Sequence, residues 1–426
     1  MLKKIIQTFG IRAFSAFVNL LIAVVLSRYL GPDGKGNQNI IITTISIILI
    51  FANLVGGATL VYLVPRYKAY LLLIPSYAWS VLMGVFSYLI LTLTGLVAGE
   101  YIFHISLLAV INSMMSIHSN VLIGQQRIKE SNQLVWMQSV TLILTLLIAF
   151  AGFKWVSVFT YLLSLYISFG ICLIVSAVYI RASLLEMQLM PVRQFYPVVR
   201  KMVNYGFQNQ VAHITQLMSF RLSYYILEEY KGMASVGVFG NGISIAESIW
   251  LISKSMSLVQ YSWVSNSEDR EQSARLTMQM VKAGIVMSLL LIIPLMLLPV
   301  SAYLLVFGPG FEEVRMVVWT LAPGVLVYNL SILLGHYYSG TGRYYINTRI
   351  SSLGLLLSVF LYYTMIPFGG IAGAGWATSI SYAFTSLLFL WYFGREFPAW
   401  YRELRISKND FNNFRTLIIN KIKNTV

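Results

Sequence analysis

Apolar residues run through this chain in long stretches that do not alternate, and polar residues gather between the stretches. The pattern repeats from Ile5 to Gly394. A helix that crosses a bilayer needs about 20 mostly apolar residues. A membrane β-strand would read as roughly ten residues of alternating character. The stretches fit the first description. They predict spans at 7–30, 38–63, 71–98, 101–124, 133–152, 156–180, 203–227, 234–261, 277–300, 313–338, 345–367 and 371–394. The expected fold is an all-α polytopic membrane protein of about 12 transmembrane helices. The opening Met1-Leu2-Lys3-Lys4 imitates a signal peptide, but its apolar run continues to Leu30 with no small-residue cleavage site, so it reads as a first, retained helix.

Composition supports the same class. The chain is 58% hydrophobic and 11% charged, with a mean hydropathy of +0.73. A soluble domain carries roughly 25% charged residues, so lipid has to cover much of this surface. Lysine and arginine then set the orientation. With the N-terminus inside, 21 of them fall on the cytoplasmic side and five outside: Arg28, Lys35, Lys154, Lys231 and Arg315. That bias places both termini in the cytoplasm. It also accounts for the net charge of +15 without a nucleic-acid partner. Membrane lipids are the expected surroundings, in a bacterial inner membrane.

Several chemistries are not expected. Cys172 is the single cysteine. No Walker A motif, dinucleotide glycine pattern or zinc-spaced Cys/His cluster is present, which argues against an ATP-driven pump working alone. The outer loops are short and carry no acid/base pair. No catalytic residue, metal or cofactor is therefore expected.

Two cytoplasmic segments are longer than hairpins. Residues 181–202, with Pro191 and Pro197, divide the chain into six spans and six. This predicts an N-terminal lobe over 1–190, a C-terminal lobe over 191–394, and a basic tail over 395–426. The tail mixes Phe397, Trp400, Tyr401, Phe411 and Phe414 with basic residues, the make-up of a helix lying on an anionic leaflet. A faint echo links the halves: Leu26-Ser27-Arg28-Tyr29-Leu30 and Leu222-Ser223-Tyr224-Tyr225-Ile226 each precede a short charged turn containing glycine. Repeats of this kind occur in transporters whose lobes rock about a central site.

Polar residues inside the spans carry the functional reading, because the bilayer makes them costly. Arg12, Lys254 and Lys282 sit near cytoplasmic span ends, where snorkelling and a functional role are equally open. Glu247 falls near the middle of its span, seven residues before Lys254 and so on the same helix face. It reads either as a structural partner for a neighbouring cation or as a site coupling transport to protons or sodium. Asn209, His213 and Gln216 share one face of the seventh span, with Arg221 beyond them. The first span offers Ser15 and Asn19, the fourth Asn112, Ser116, Ser119 and Asn120, and the tenth Asn329 and His336. Such stripes are compatible with plain interhelical hydrogen bonding. Occurring in both halves, they also fit a wet central cavity. Its charges, four basic to one acidic, suit an anionic ligand such as a phosphate.

The sequence resembles the polysaccharide flippases of the multidrug/oligosaccharidyl-lipid/polysaccharide exporter superfamily, the group that includes O-antigen flippases. Four stretches carry the resemblance: Ser27-Arg28-Tyr29-Leu30-Gly31-Pro32-Asp33-Gly34-Lys35-Gly36 after the first helix; Val238-Phe239-Gly240-Asn241 through Ile245-Ala246-Glu247-Ser248-Ile249-Trp250 in the eighth; Phe307-Gly308-Pro309-Gly310-Phe311 after the ninth; and Phe368-Gly369-Gly370-Ile371-Ala372-Gly373-Ala374-Gly375-Trp376-Ala377-Thr378 at the entry to the twelfth. The resemblance implies two six-helix lobes that alternate in access. It also implies movement of an undecaprenyl-diphosphate-linked oligosaccharide to the outer leaflet for O-antigen or capsule synthesis, beside polymerase and chain-length proteins. The candidate substrate-binding set is Arg12, Asn19, Arg28, Asn209, His213, Arg221, Lys254 and Lys282, with Glu247 for ion coupling. Relatives carry an acidic residue late in the seventh helix, where this chain has Ser223; that leaves Glu228, Glu247 or a different coupling arrangement. A cation-coupled multidrug exporter of the same superfamily is the competing reading, opposed by the basic excess. A structural scaffold is a second, and needs no polar stripes.

Overall fold

The computed structural model describes residues 2–185, 192–267 and 269–404. Every element among them is helical. The first half comprises α1 (Leu2–Gly56), α2 (Ala58–Leu63), α3 (Ala69–Thr94), α4 (Gly99–Gly124), α5 (Ile128–Leu147) with a π turn at Ile148–Gly152, α6 (Val158–Tyr179) and the short α7 (Arg181–Leu185). The second comprises α8 (Val192–Lys231), α9 (Met233–Ile249), α10 (Leu251–Asn266), α11 (Arg270–Leu297), α12 (Val300–Phe307), α13 (Val314–Gly340), α14 (Tyr344–Glu396) and α15 (Tyr401–Leu404). Residues 405–426, with Phe411 and Phe414 of the expected interfacial tail, lie outside the described residues.

Among the described residues, eight helices are long and apolar enough to cross a membrane, or nine if α9 and α10 form one bent span. Two of the eight are much longer than one crossing: Phe14–Leu63 has 50 residues and α14 has 53. Each contains one glycine of positive φ. Gly31 sits at φ 66° and Gly370 at φ 52°, a region that only glycine enters without strain. Pro32 and Pro367 flank the two breaks and remove an N–H from each ladder.

At Gly370 the chain reverses. Ser358 and Ser381 would stand about 35 Å apart in a straight helix, yet their hydroxyls meet at 2.5 Å. Tyr362 and Thr378 meet at 3.3 Å. The same reasoning applies at Gly31. Asn39 and Ser27, on opposite sides of that break, bond to Val236 and Asn241 of α9, which are only about 8 Å apart along their helix.

The outer surface is apolar. Leu93, Ile174, Leu356 and Phe368 are among many large side chains left exposed, as a lipid-facing bundle requires. α13 is the exception. Its apolar window is 78% buried against 22% for α11 and α14, and it packs on α9, α10, α11 and α14. Small residues allow the close approach. The Gly324 amide donates to Ser379 Oγ at 3.3 Å, and that hydroxyl donates to the Thr320 carbonyl at 2.5 Å.

α3–α6 pack mainly on one another and on α1, and α10, α11, α13 and α14 mainly on one another and on α8 and α9, while the most extensive packing of α1 is against α9. The two sets meet chiefly where α1 touches α8 and α9. One meeting lies beside the Gly31 break, against α9. The other lies at the far end of α1 and in α2, against the start of α8. There Tyr62 and Tyr205 place their rings 5.1 Å apart, and Lys201 Nζ donates to Tyr67 Oη at 2.7 Å.

Candidate functional site

Spacing along α8 builds the centre of the second half. Gln216, Phe220 and Tyr224 recur every four residues and so share a face. Phe220 enters a cluster with Trp250, Tyr328 and Tyr382, drawn from four different helices or their junctions. Every pair of these rings is in contact, with centroids 4.6–6.1 Å apart. Polar tips are tied down at its edge: Gln216 Nε2 donates to Tyr328 Oη at 2.6 Å, and Trp250 Nε1 to the Val325 carbonyl at 3.0 Å.

Arg221 and Glu247 lie beside this cluster and pair with each other. Arg221 Nη2 is 3.0 Å from both carboxylate oxygens, and Nη1 donates to Tyr224 Oη at 3.2 Å. Their side chains are 22% and 25% exposed, between the fully buried case and the surface one. The pair therefore has real but partial access to a ligand. Glu247 and Lys254 lie on different helices, α9 and α10. The axis bends 42° between α9 and α10, and Trp250 marks the junction. Lys254 is exposed on α10, 5.8 Å from the centroid of the Trp250 ring.

The remaining sequence candidates fall into distinct places. Asn19 on α1 and His213 on α8 are exposed. Lys282 is half-buried on α11 and engaged with its surroundings. Arg28 stands at the Gly31 end, where it donates to the carbonyls of Leu305 and Val306, the last turn of α12. The side chains of Arg12 and Asn209 lie outside the described residues. So the structure joins Arg221 to Glu247, brings Lys254 beside the same aromatic wall, and puts Arg28 to a different use. Glu228 lines a small pocket with Asn37, Tyr101 and Met233 near the Gly31 end.

Several polar stripes turn out to join helices. Asn329 is fully buried and bonds to Ser253 and Ser288. In the first half, Ser116 donates to Asn53 at 3.2 Å and Ser119 meets Ser131 at 2.7 Å. One buried charge was not legible as such. Lys35, counted in the outer turn, is 3% exposed. The only sequence signal for it is a lysine held between Gly34 and Gly36. Among the described residues, no cluster of three or more His, Cys, Asp or Glu is placed to hold a metal ion.

No family model matches this sequence. The chain is 26% identical over 171 residues to the capsular polysaccharide biosynthesis protein CapF of Staphylococcus aureus, a stretch covering 39% of this chain and 43% of that relative. The match thus spans less than half of the relative's length. Solved structures align along nearly the whole chain. One is an inward-facing multidrug resistance MATE family transporter of the MOP superfamily, with a TM-score of 0.73, 14% identity, and coverage of 91% of this chain and 96% of that one. A second is the lipid II flippase MurJ in an inward closed conformation, with a TM-score of 0.75, 14% identity and coverage of 91% and 87%. A third is a MOP superfamily transporter from Pyrococcus furiosus described as having a binding pocket of reversed polarity, with a TM-score of 0.66, 13% identity and coverage of 93% and 96%. At these identities the likeness shows a shared fold, that of the MOP-superfamily transporters.

Proposed function

We propose that this chain is a flippase for a diphosphate-linked oligosaccharide on a polyprenyl carrier, delivering it across a bacterial inner membrane for surface polysaccharide synthesis. The observation that carries the reading is the polarity of the interior. Glu247 is neutralised by Arg221, and Lys254 stands exposed beside the aromatic wall, so the net charge offered to a ligand there is positive. A phosphate takes charge-assisted bonds from such groups. The fold shared with a lipid II flippase and the partial match to a capsule protein support this.

In this reading, the 50- and 53-residue helices each cross twice, and α8 supplies a further crossing, giving twelve. Residues 1–190 and 191–394 are the two lobes, with both termini cytoplasmic. Arg12, Asn19, Asn209, His213, Arg221, Lys254 and Lys282 contribute to the cavity. Glu247 couples transport to protons or sodium through its bond to Arg221, and polymerase and chain-length proteins act on the exported unit.

The test is a proteoliposome assay with a fluorescent polyprenyl-diphosphate sugar, following its appearance in the opposite leaflet. Movement by wild type that falls at least tenfold in Lys254→Ala and Arg221→Ala is expected. No movement above protein-free vesicles would reject the proposal. The competing reading is a cation-coupled multidrug exporter, the fold being shared with a multidrug transporter. Efflux of a cationic dye with no lipid movement would decide for that reading.

A further inference from the structure

Lys35 is a cation where none is expected. It stands four residues after the Gly31 break and is 3% exposed. No carboxylate of a described residue pairs with it; Asp33, exposed on the same turn, does not. Its ammonium donates to the side-chain oxygens of Gln38 and of Asn39, the latter at 3.0 Å. These two neutral amides take two of the three donors of the buried ammonium and cancel none of its charge.

The two amides in turn tie Lys35 to both halves of the molecule. Gln38 Nε2 donates to Tyr161 Oη at 3.3 Å, within the first half. Asn39 Nδ2 donates to the Val236 carbonyl at 3.1 Å, on α9 of the second half. The seam around them is built from direct backbone contact. A Cβ on Gly237 would lie 2.0 Å from the Pro32 carbonyl oxygen, and one on Gly36 would lie 2.0 Å from that of Met233. Yet only a few polar bonds cross it, among them Asn241 to Ser27 at 2.7 Å and Thr44 to Tyr225 at 2.7 Å. A seam that is close but lightly bonded can part. When it does, Asn39 loses Val236 and the ammonium meets solvent with a free donor.

We propose that Lys35 is a masked anion site for a diphosphate-class ligand, covered while the seam between α1 and α9 is closed and uncovered when it opens. An ammonium without a counter-charge favours a phosphate, to which it offers charge-assisted hydrogen bonds. The site is separate from the Arg221–Glu247 pair, so a ligand leaving that pair meets a second positive group at the Gly31 end. The proposal rests on the reading that the lobes separate during transport, but not on which lipid is carried.

The test uses detergent-purified full-length protein and an amine-acetylating reagent, with each lysine followed by peptide mass spectrometry. Lys154, exposed in a loop, is the reference. In wild type, Lys35 should react at least about tenfold more slowly than Lys154, as a residue closed off from solvent does. Gly237→Trp cannot close the seam and should bring Lys35 to the rate of Lys154. Millimolar inorganic pyrophosphate should then slow Lys35, and chloride at equal ionic strength should not. Gly240→Leu, which strikes Asn39 on the same seam, repeats the measurement if the tryptophan variant does not fold. Gln38→Glu supplies a counter-charge and accepts from Tyr161 in place of donating, so adding it to either variant should abolish the pyrophosphate effect. Lys35 remaining protected in both seam variants, or slowed equally by pyrophosphate and chloride, would overturn the site. Protection by pyrophosphate without lipid movement in vesicles would instead count against the flippase reading alone.

Discussion

At the scale of single residues, the interior charges are the part of the site most readable from sequence. A carboxylate in an apolar run is costly enough to announce itself, and Glu247 did. Its partner was legible in kind, as a cation from a neighbouring helix, but not in identity: Arg221 of α8 takes that place. Lys35 was less legible still, since a lysine in a glycine-rich turn looks like any solvated charge until the neighbouring helix covers it. The Arg221–Glu247 pair has a testable energetic signature. Breaking a buried pair from one side costs about 3–5 kcal/mol, while exposed pairs are worth about 0–1. At roughly one-quarter exposure the expected cost of Glu247→Leu is about 2 kcal/mol, because Arg221 is left without a counter-charge. The double variant Arg221→Met/Glu247→Leu should recover most of that loss. Thermal unfolding of the four purified proteins makes the comparison. A double variant no more stable than Glu247→Leu would show that Arg221 is served by other partners. Transport should fail in both, since stability can return without the charges a diphosphate needs.

At the scale of helices, the apolar runs predicted the hydrophobic part of each long helix, though α5, α8 and α11 begin well before the expected spans, and both glycine breaks fell where a span was expected to end. The reason is that membrane helices must satisfy their own backbone bonds, which leaves little for tertiary contacts to override. What sequence missed depends on tertiary contacts: the bend between α9 and α10, the start of α8 within a segment read as cytoplasmic, and the burial of α13. The reversal at Gly370 rests on a single backbone conformation, and its neighbour is a built-in control. Gly370 adopts φ 52°, whereas Gly369 needs no such angle and a Cβ there meets nothing within 4 Å. Gly370→Ala should therefore cost about 1–2 kcal/mol of stability, and Gly369→Ala should be neutral or slightly stabilising. Gly373→Leu should be worse than either, because a Cβ at that position lies 2.2 Å from the Met365 carbonyl oxygen across the reversal. Folded yield and midpoint of thermal unfolding, measured together, rank the three. Equal values for Gly369→Ala and Gly370→Ala would mean the turn tolerates an ordinary residue.

At the scale of the whole molecule, the two halves differ from the interfaces within them. Inside the second half, Ser219, Ser358 and Ser381 form an unbroken ladder of hydroxyl contacts, with Tyr362 donating to the Ser219 carbonyl at 2.8 Å. Inside the first, Tyr77, His118 and Ser176 link three helices. Between the halves, beside Gly31, close backbone contact is supplemented by separate bonds, among them Asn241 to Ser27, Asn39 to the Val236 carbonyl and Arg28 to the last turn of α12. Sequence could not show this seam, because it is made of glycines facing carbonyls that lie about 200 residues away. If transport requires that seam to part, joining its sides should stop transport while joining sides within a half should not. Ser27→Cys/Asn241→Cys spans the seam, where the native side chains meet at 2.7 Å. Ser219→Cys/Ser358→Cys lies within the second half, where the hydroxyls meet at 2.5 Å. Both are made with Cys172→Ser and treated with a short thiol cross-linker. Lipid movement in vesicles should be lost in the first pair and return on reductive cleavage of the linker. It should persist in the second at a comparable extent of cross-linking. Transport surviving a fully linked Ser27–Asn241 seam would mean that this contact stays closed throughout the cycle, and the moving interface would then have to be the other one, between the end of α1 with α2 and the start of α8.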